Sequence, residues 1–180
     1  MHYTSWGRRG KTDGRTELPL LVGEGPEELG RFTDTGAGSA TAVVDGEEWT
    51  LSFDPRQGAT AMLADGAVFR APGDFRRGKR LEIDLAGRRF TFLNEGRSDW
   101  IVEDANSEKI AQFSGGGRGT IRSILEFENE GEGTDLSRRE IAGLSWFTRL
   151  ALESRLENSS VALIGTLALA SVVAVLAFLV

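Results

Sequence analysis

The chain has no cysteine and one histidine, His2, among 180 residues. The first absence removes disulfides, thiolate metal sites and cysteine nucleophiles. The second removes any histidine-built metal cluster within one chain and brings Ser-His-Asp chemistry close to excluded, since His2 alone could serve it. No metal and no cofactor are expected. Cationic charge is also scarce, with 21 Lys plus Arg against 27 Asp plus Glu and a formal net charge of -6. Phosphate affinity rests on a cationic surplus, so nucleic acid is not an expected partner. The opening stretch MHYTSWGRRGKTDG has basic residues but no apolar core behind them, so no secretory signal is read there and the domain is expected on the cytoplasmic side.

What the chain does have is one long apolar run. Residues 161–180 carry no charge, and twelve of them are Leu, Ile, Val or Phe. A helix of that length rises about 1.5 Å per residue to roughly 30 Å, the thickness of a hydrocarbon core. The segment 159–180 is therefore expected as a transmembrane helix. Arg149 and Arg155 precede it, which leaves the bulk of the chain inside by the positive-inside rule. The expected localisation is the cell membrane, single-pass and tail-anchored. The competing reading buries this apolar helix in the centre of a soluble barrel, where Ala162, Gly165, Ala168 and Ala170 would let strands approach.

Before the tail, the chain is long enough for one domain with its own core. Residues 1–16 are basic and polar and read as a flexible arm; residues 17–128 read as a β domain. Runs bounded by Gly, Pro, Asp or Asn predict strands at 18–22, 29–33, 39–44, 48–53, 59–64, 66–71, 80–86, 88–94, 99–104, 108–113 and 119–127. Leu81, Ile83 and Leu85 alternate with Glu82 and Asp84, so one face is buried and the other wet. Asp45-Gly46 and Asp65-Gly66 are two-residue hairpin signals. About eleven short strands exceed what one open sheet usually holds, so a mainly β fold is expected, an antiparallel barrel, closed or sandwich-like. An acidic linker follows at 129–136, then an amphipathic helix over 137–157 opened by the capping box Ser137-x-x-Glu140. That helix is expected either to pack against the barrel or to lie at a membrane surface.

Three segments suggest chemistry. Asp34-Thr35-Gly36-Ala37 resembles the short signature of retroviral-type aspartic proteases. That resemblance implies Asp34 as one half of a dimeric catalytic pair, Thr35 bracing the loop and Gly36 turning beneath it; a turn between strands is the plainer reading. The run 114–119, Ser-Gly-Gly-Gly-Arg-Gly, could form a backbone nest for an anion but lacks the Lys-Ser/Thr of a P-loop. Arg76, Arg77, Lys79, Arg80, Arg88, Arg89 and Arg97 form the densest basic stretch and are the expected contact surface for lipid headgroups or a protein partner. Trp49, Trp100 and Trp146 read as core anchors, with Trp6 in the arm.

Over 79–128 the pattern resembles the bacterial tubby C-terminal-like (LURP-one-related) group. The residues that carry the likeness are Trp100-Ile101-Val102-Glu103-Asp104, then Ser107-Glu108, then Ile110-Ala111-Gln112-Phe113. The resemblance implies a many-stranded barrel with a hydrophobic helix through its centre, which here would be either 138–156 or the tail, and a non-enzymatic module that binds lipid headgroups or a protein. Only three lysines among 21 basic residues, with abundant Gly and Ala, fit a high-GC bacterial genome. The combined expectation is a non-enzymatic, membrane-anchored adaptor or accessory module. Its alternatives are an Asp34 protease and a soluble barrel filled by the C-terminal helix.

Overall fold

The computed structural model describes residues 1–36, 38–96, 99–114, 124–128 and 135–156. Its strands are β1 (Tyr3–Trp6), β2 (Gly10–Thr12), β3 (Arg15–Val22), β4 (Glu28–Gly36), β5 (Ser39–Val44), β6 (Glu47–Asp54) and β7 (Gly58–Met62). They continue as β8 (Val68–Pro72), β9 (Arg80–Leu85), β10 (Arg88–Asn94), β11 (Asp99–Glu103), β12 (Lys109–Ser114) and β13 (Ile124–Phe127). One helix, α1, covers 138–156.

From β2 to β13 each strand pairs antiparallel with its sequence neighbour, and β1 closes the ring between β13 and β3. Thr4 faces Leu125 on one side and Val22 on the other. Twelve strands thus form a closed barrel, and β2 extends the pairing of β3 beyond β1. All eleven expected strands are present, within the described residues. The reading of 1–16 as a loose arm is corrected: Tyr3–Trp6 is the closing strand, and Trp6 is 4% exposed with its ring edge-on to Phe32 at 5.1 Å. Pairing with partners more than a hundred residues away, absent from local pattern, creates this strand.

Hairpin chemistry follows the sequence at some turns and departs at others. Asp45-Gly46 takes positive φ at both positions (51° and 84°), as a type I′ turn requires. At Asp65-Gly66 only Gly66 does, because the turn is one residue longer: Leu63 N donates to Ala67 O and Gly66 N to Leu63 O. The Asp65 carboxylate accepts from Ala67 N instead.

A ring of twelve strands is too wide for wall side chains alone to fill. Here α1 fills it. Residues 140–152 are buried without interruption, on every face of the helix. The expectation that this helix lies against the barrel or on a membrane is thereby corrected: it runs through the barrel's middle. Small wall residues make room, with Ala42, Ala61, Ala71 and Ala111 at most 2% exposed. On the helix, Gly143 does the same, since a Cβ there would fall 2.8 Å from the Phe69 ring and 3.6 Å from Leu85. Two hydroxyls on this buried helix find partners nearby. Ser145 Oγ bonds Ile141 O at 2.7 Å and lies 2.8 Å from Thr4 Oγ1, and Thr148 Oγ1 donates to Ser145 O at 2.9 Å. Such internal satisfaction is what permits hydroxyls in a core.

Among the described residues no helix is long and apolar enough to cross a membrane. The expected span 159–180 lies outside the described residues, as do most of the acidic linker (129–134), residues 115–119 of the glycine run 114–119, and Arg97.

Candidate functional site

Because the barrel is a meander, alternate turns share one end. The turns at 23–27, 45–46, 63–67, 86–87 and 104–108 gather where α1 begins, and carry six acidic residues (Glu24, Glu27, Asp45, Asp65, Asp104, Glu108) and no basic one. Segments 7–9, 13–14, 55–57, 73–79 and 95–96 gather where α1 ends, and carry six basic residues (Arg8, Arg9, Arg56, Arg76, Arg77, Lys79) against three acidic (Asp13, Asp74, Glu95). A helix presents partial positive charge at its start and partial negative charge at its end. Each mouth therefore complements the helix terminus it holds.

The acidic mouth uses its charge internally. Arg138 pairs with Glu27 (3.0 Å) and Asp45 (3.2 Å), and Arg139 pairs with Asp65 (2.6 Å) and Glu47. Glu140 completes the expected capping box, accepting from Ser137 N at 2.8 Å while Ser137 Oγ accepts from Glu140 N at 3.3 Å. Arg88 reaches the same Glu140 at 2.9 Å and the carbonyl of Asp135 at 2.7 Å. Hydrogen bonds from Ala67 N first, and from Arg139 second, hold Asp65 below the ordinary aspartate range.

These positions divide the expected basic surface. Arg76, Arg77 and Lys79 occupy the β8–β9 loop at the mouth where α1 ends, and Arg80 opens β9 beside them, 2.6 Å from Glu82. Arg88 and Arg89 begin β10 at the other mouth, the six-residue β9 away. They do not form one patch. The loop carrying Arg76, Arg77 and Lys79 is tied to the helix end: Arg155 Nη2 donates to Gly78 O at 2.6 Å and Nη1 to Asn94 Oδ1 at 2.9 Å. Asp74 caps the loop from within, accepting from the amides of Arg76 and Arg77.

At this same mouth a cavity of about 470 Å³ lies between α1 and strands β3 to β6. Its apolar walls are Trp6, Leu18, Phe32, Phe53, Trp146 and Leu150, and its polar lining includes Arg9, Arg149, Glu153 and Ser154. The Arg149 side chain, 6% exposed, lies 2.5 Å from Glu153 Oε1, with its guanidinium 5.0 Å from the centre of the Trp6 ring. Burial holds it below the ordinary arginine range, Glu153 offsets part of that effect, and the nearby charge of Arg9 adds to it. Arg9 contacts the same Glu153 oxygen at 3.1 Å. This set escaped the sequence reading, although an arginine four residues before a glutamate in an otherwise apolar helix is its visible trace.

Asp34, Thr35 and Gly36, the expected protease elements, stand exposed at the rim of the cavity or beside it. Asp34 Oδ1 accepts from Gly36 N at 2.8 Å, and Thr35 Oγ1 donates to Ser39 O at 2.8 Å, the bonding of a strand-end turn. Among the described residues no group of three or more His, Asp or Glu is placed to hold a metal. Trp49, Trp100 and Trp146 are core residues, as expected, at 1%, 2% and 6% exposed. No match to this chain was found among family models, curated proteins or solved structures.

Proposed function

We propose that this protein is a non-enzymatic binding module held at a membrane through 159–180, with its basic mouth laid against anionic headgroups. One observation carries the reading: the last described turn of α1 opens at the basic mouth, locked to the Arg76–Lys79 loop by Arg155. From Leu156 to residue 161 there are five residues, which reach at most about 18 Å when extended. An apolar helix in the bilayer would therefore hold this mouth, and not the acidic one, near the membrane surface. Each basic side chain there would contribute about 1 kcal/mol toward anionic lipid. A central helix in a closed barrel also supports kinship with the tubby C-terminal-like group, as part of the same proposal.

Vesicle flotation tests it. Full-length protein is expected to float with neutral and with phosphatidylserine vesicles. The form ending at Asn158 is expected to float only with phosphatidylserine, and to lose that binding when Arg76, Arg77 and Lys79 are all changed to Glu. Equal flotation of the reversed and unreversed forms would refute the headgroup contact. A protein partner in the membrane would instead show as flotation only with native membranes.

A further inference from the structure

The cavity between α1 and strands β3 to β6 has the makeup of a ligand site, and this holds whether or not the chain is membrane-bound. Its volume, about 470 Å³, lies within the range of roughly 300–1,000 Å³ that ligand pockets occupy, and its walls are mostly apolar. The charged groups on its lining are already committed to partners. Arg149 and Arg9 both meet the carboxylate of Glu153, and Asp34 on the rim accepts from the amide of Gly36. One polar group on the lining differs. Ser154 is 2% exposed, yet its hydroxyl has no hydrogen-bond partner, although a buried hydroxyl normally has one. Other hydroxyls on the same helix, Ser145 and Thr148, bond backbone carbonyls one turn back.

We propose that this cavity binds a neutral, largely apolar molecule bearing one hydroxyl or carbonyl oxygen, with that oxygen at Ser154 and the apolar body against Trp6, Phe32 and Leu150. The neutrality follows from the pairing of the lining. An ion entering would give up its hydration and gain no unpaired counter-charge, a cost that an uncharged molecule escapes. The oxygen follows from Ser154. A hydroxyl both donates and accepts, so it suits an alcohol or a carbonyl, and either contact satisfies a group that is otherwise buried unpaired. The walls are held independently of any ligand: the Trp6 ring is edge-on to Phe32 at 5.1 Å, and the Arg149 guanidinium lies 5.0 Å from its centre. The apolar body therefore enters a site that is already formed.

The test titrates octanol into the full chain in buffer containing neutral phosphatidylcholine nanodiscs, with discs alone as the blank, by calorimetry. Chlorooctane, of similar size but without a hydroxyl, is the first comparison, and octanoate and octylammonium are the charged ones. Saturable one-to-one binding of octanol is expected, with both ions about tenfold or more weaker. Ser154→Ala is expected not to lower the melting temperature, and to weaken octanol about three- to tenfold while leaving chlorooctane unchanged. Ala40→Phe, which fills the cavity from β5, should abolish binding of both; if it does not fold, Ser154→Ala decides alone. The proposal is overturned if octanol does not saturate, if either ion binds as tightly as octanol, if Ser154→Ala weakens both neutral molecules or neither, or if folded Ala40→Phe binds as the unaltered chain does. Failure here leaves the headgroup reading standing, and loss of flotation leaves this one standing.

Discussion

The two mouths of the barrel are made from the same succession of hairpins, yet one spends its charge on the first turn of the helix and the other leaves Arg77 and Lys79 exposed. At the acidic mouth, Glu27, Asp45, Glu47 and Asp65 grip Arg138 and Arg139, and Arg88 closes on Glu140. At the basic mouth the loop of the exposed Arg77 and Lys79 is anchored by Asp74, which accepts from the Arg77 amide, and through the Gly78 carbonyl, and neither side chain enters an ion pair among the described residues. The lesson concerns where to look for function. Charge that is consumed by internal pairs sets the direction in which the helix enters. Charge whose loop is held by other atoms is available for something else.

Substitutions can break this contrast, beginning with the helix that both mouths hold. Leu144 is fully buried, so Leu144→Ala should lower unfolding free energy by about 2–5 kcal/mol in urea titration. Next comes the acidic mouth. Glu140→Ala removes a capping partner and leaves Arg88 without its carboxylate, and about 1–3 kcal/mol of stability should go with it.

A smaller, pH-dependent effect belongs to Asp65. Its carboxylate is held below the ordinary aspartate value of 3.8, so its contribution is present above that pH and lost as pH falls through the lower folded value. Urea midpoints measured downward from about pH 5 should drop more steeply for the native chain than for Asp65→Asn. The basic mouth sharpens the contrast by doing nothing: Arg77→Ala should change stability by no more than about 0.5 kcal/mol.

Much of this fold is legible in the sequence, for reasons tied to particular residues. Alternation in β9 and the Asp45-Gly46 hairpin are local signals, and the structure keeps them. The closing strand β1 is not local, since Thr4 finds its neighbours at Val22 and Leu125. A trace of order was present even so: Asp13-Gly14 takes positive φ at both positions (50° and 77°) and turns β2 into β3. The location of α1 depends on that same strand, because only a closed ring of twelve has an interior to fill. The breadth of the helix's apolar face was readable, but inside and outside were not. The basic stretch failed for a simpler reason: hairpin geometry sends Arg76 and Arg88 to opposite ends of β9, which linear density along the chain hides. The Arg149 cavity is assembled from β1, β3 to β6 and α1, so no single segment announces it.

The central claim is that 138–156 completes the barrel's core and that 159–180 serves attachment. It is tested most directly by fractionating membranes for the full-length chain beside a form ending at Asn158, with circular dichroism melts of the shorter form. We expect the full chain to stay with membranes through a carbonate wash, and the shorter form to be soluble, β-rich and cooperative in its melt. A full chain found in the supernatant, or a shorter form that is unfolded, would contradict the claim.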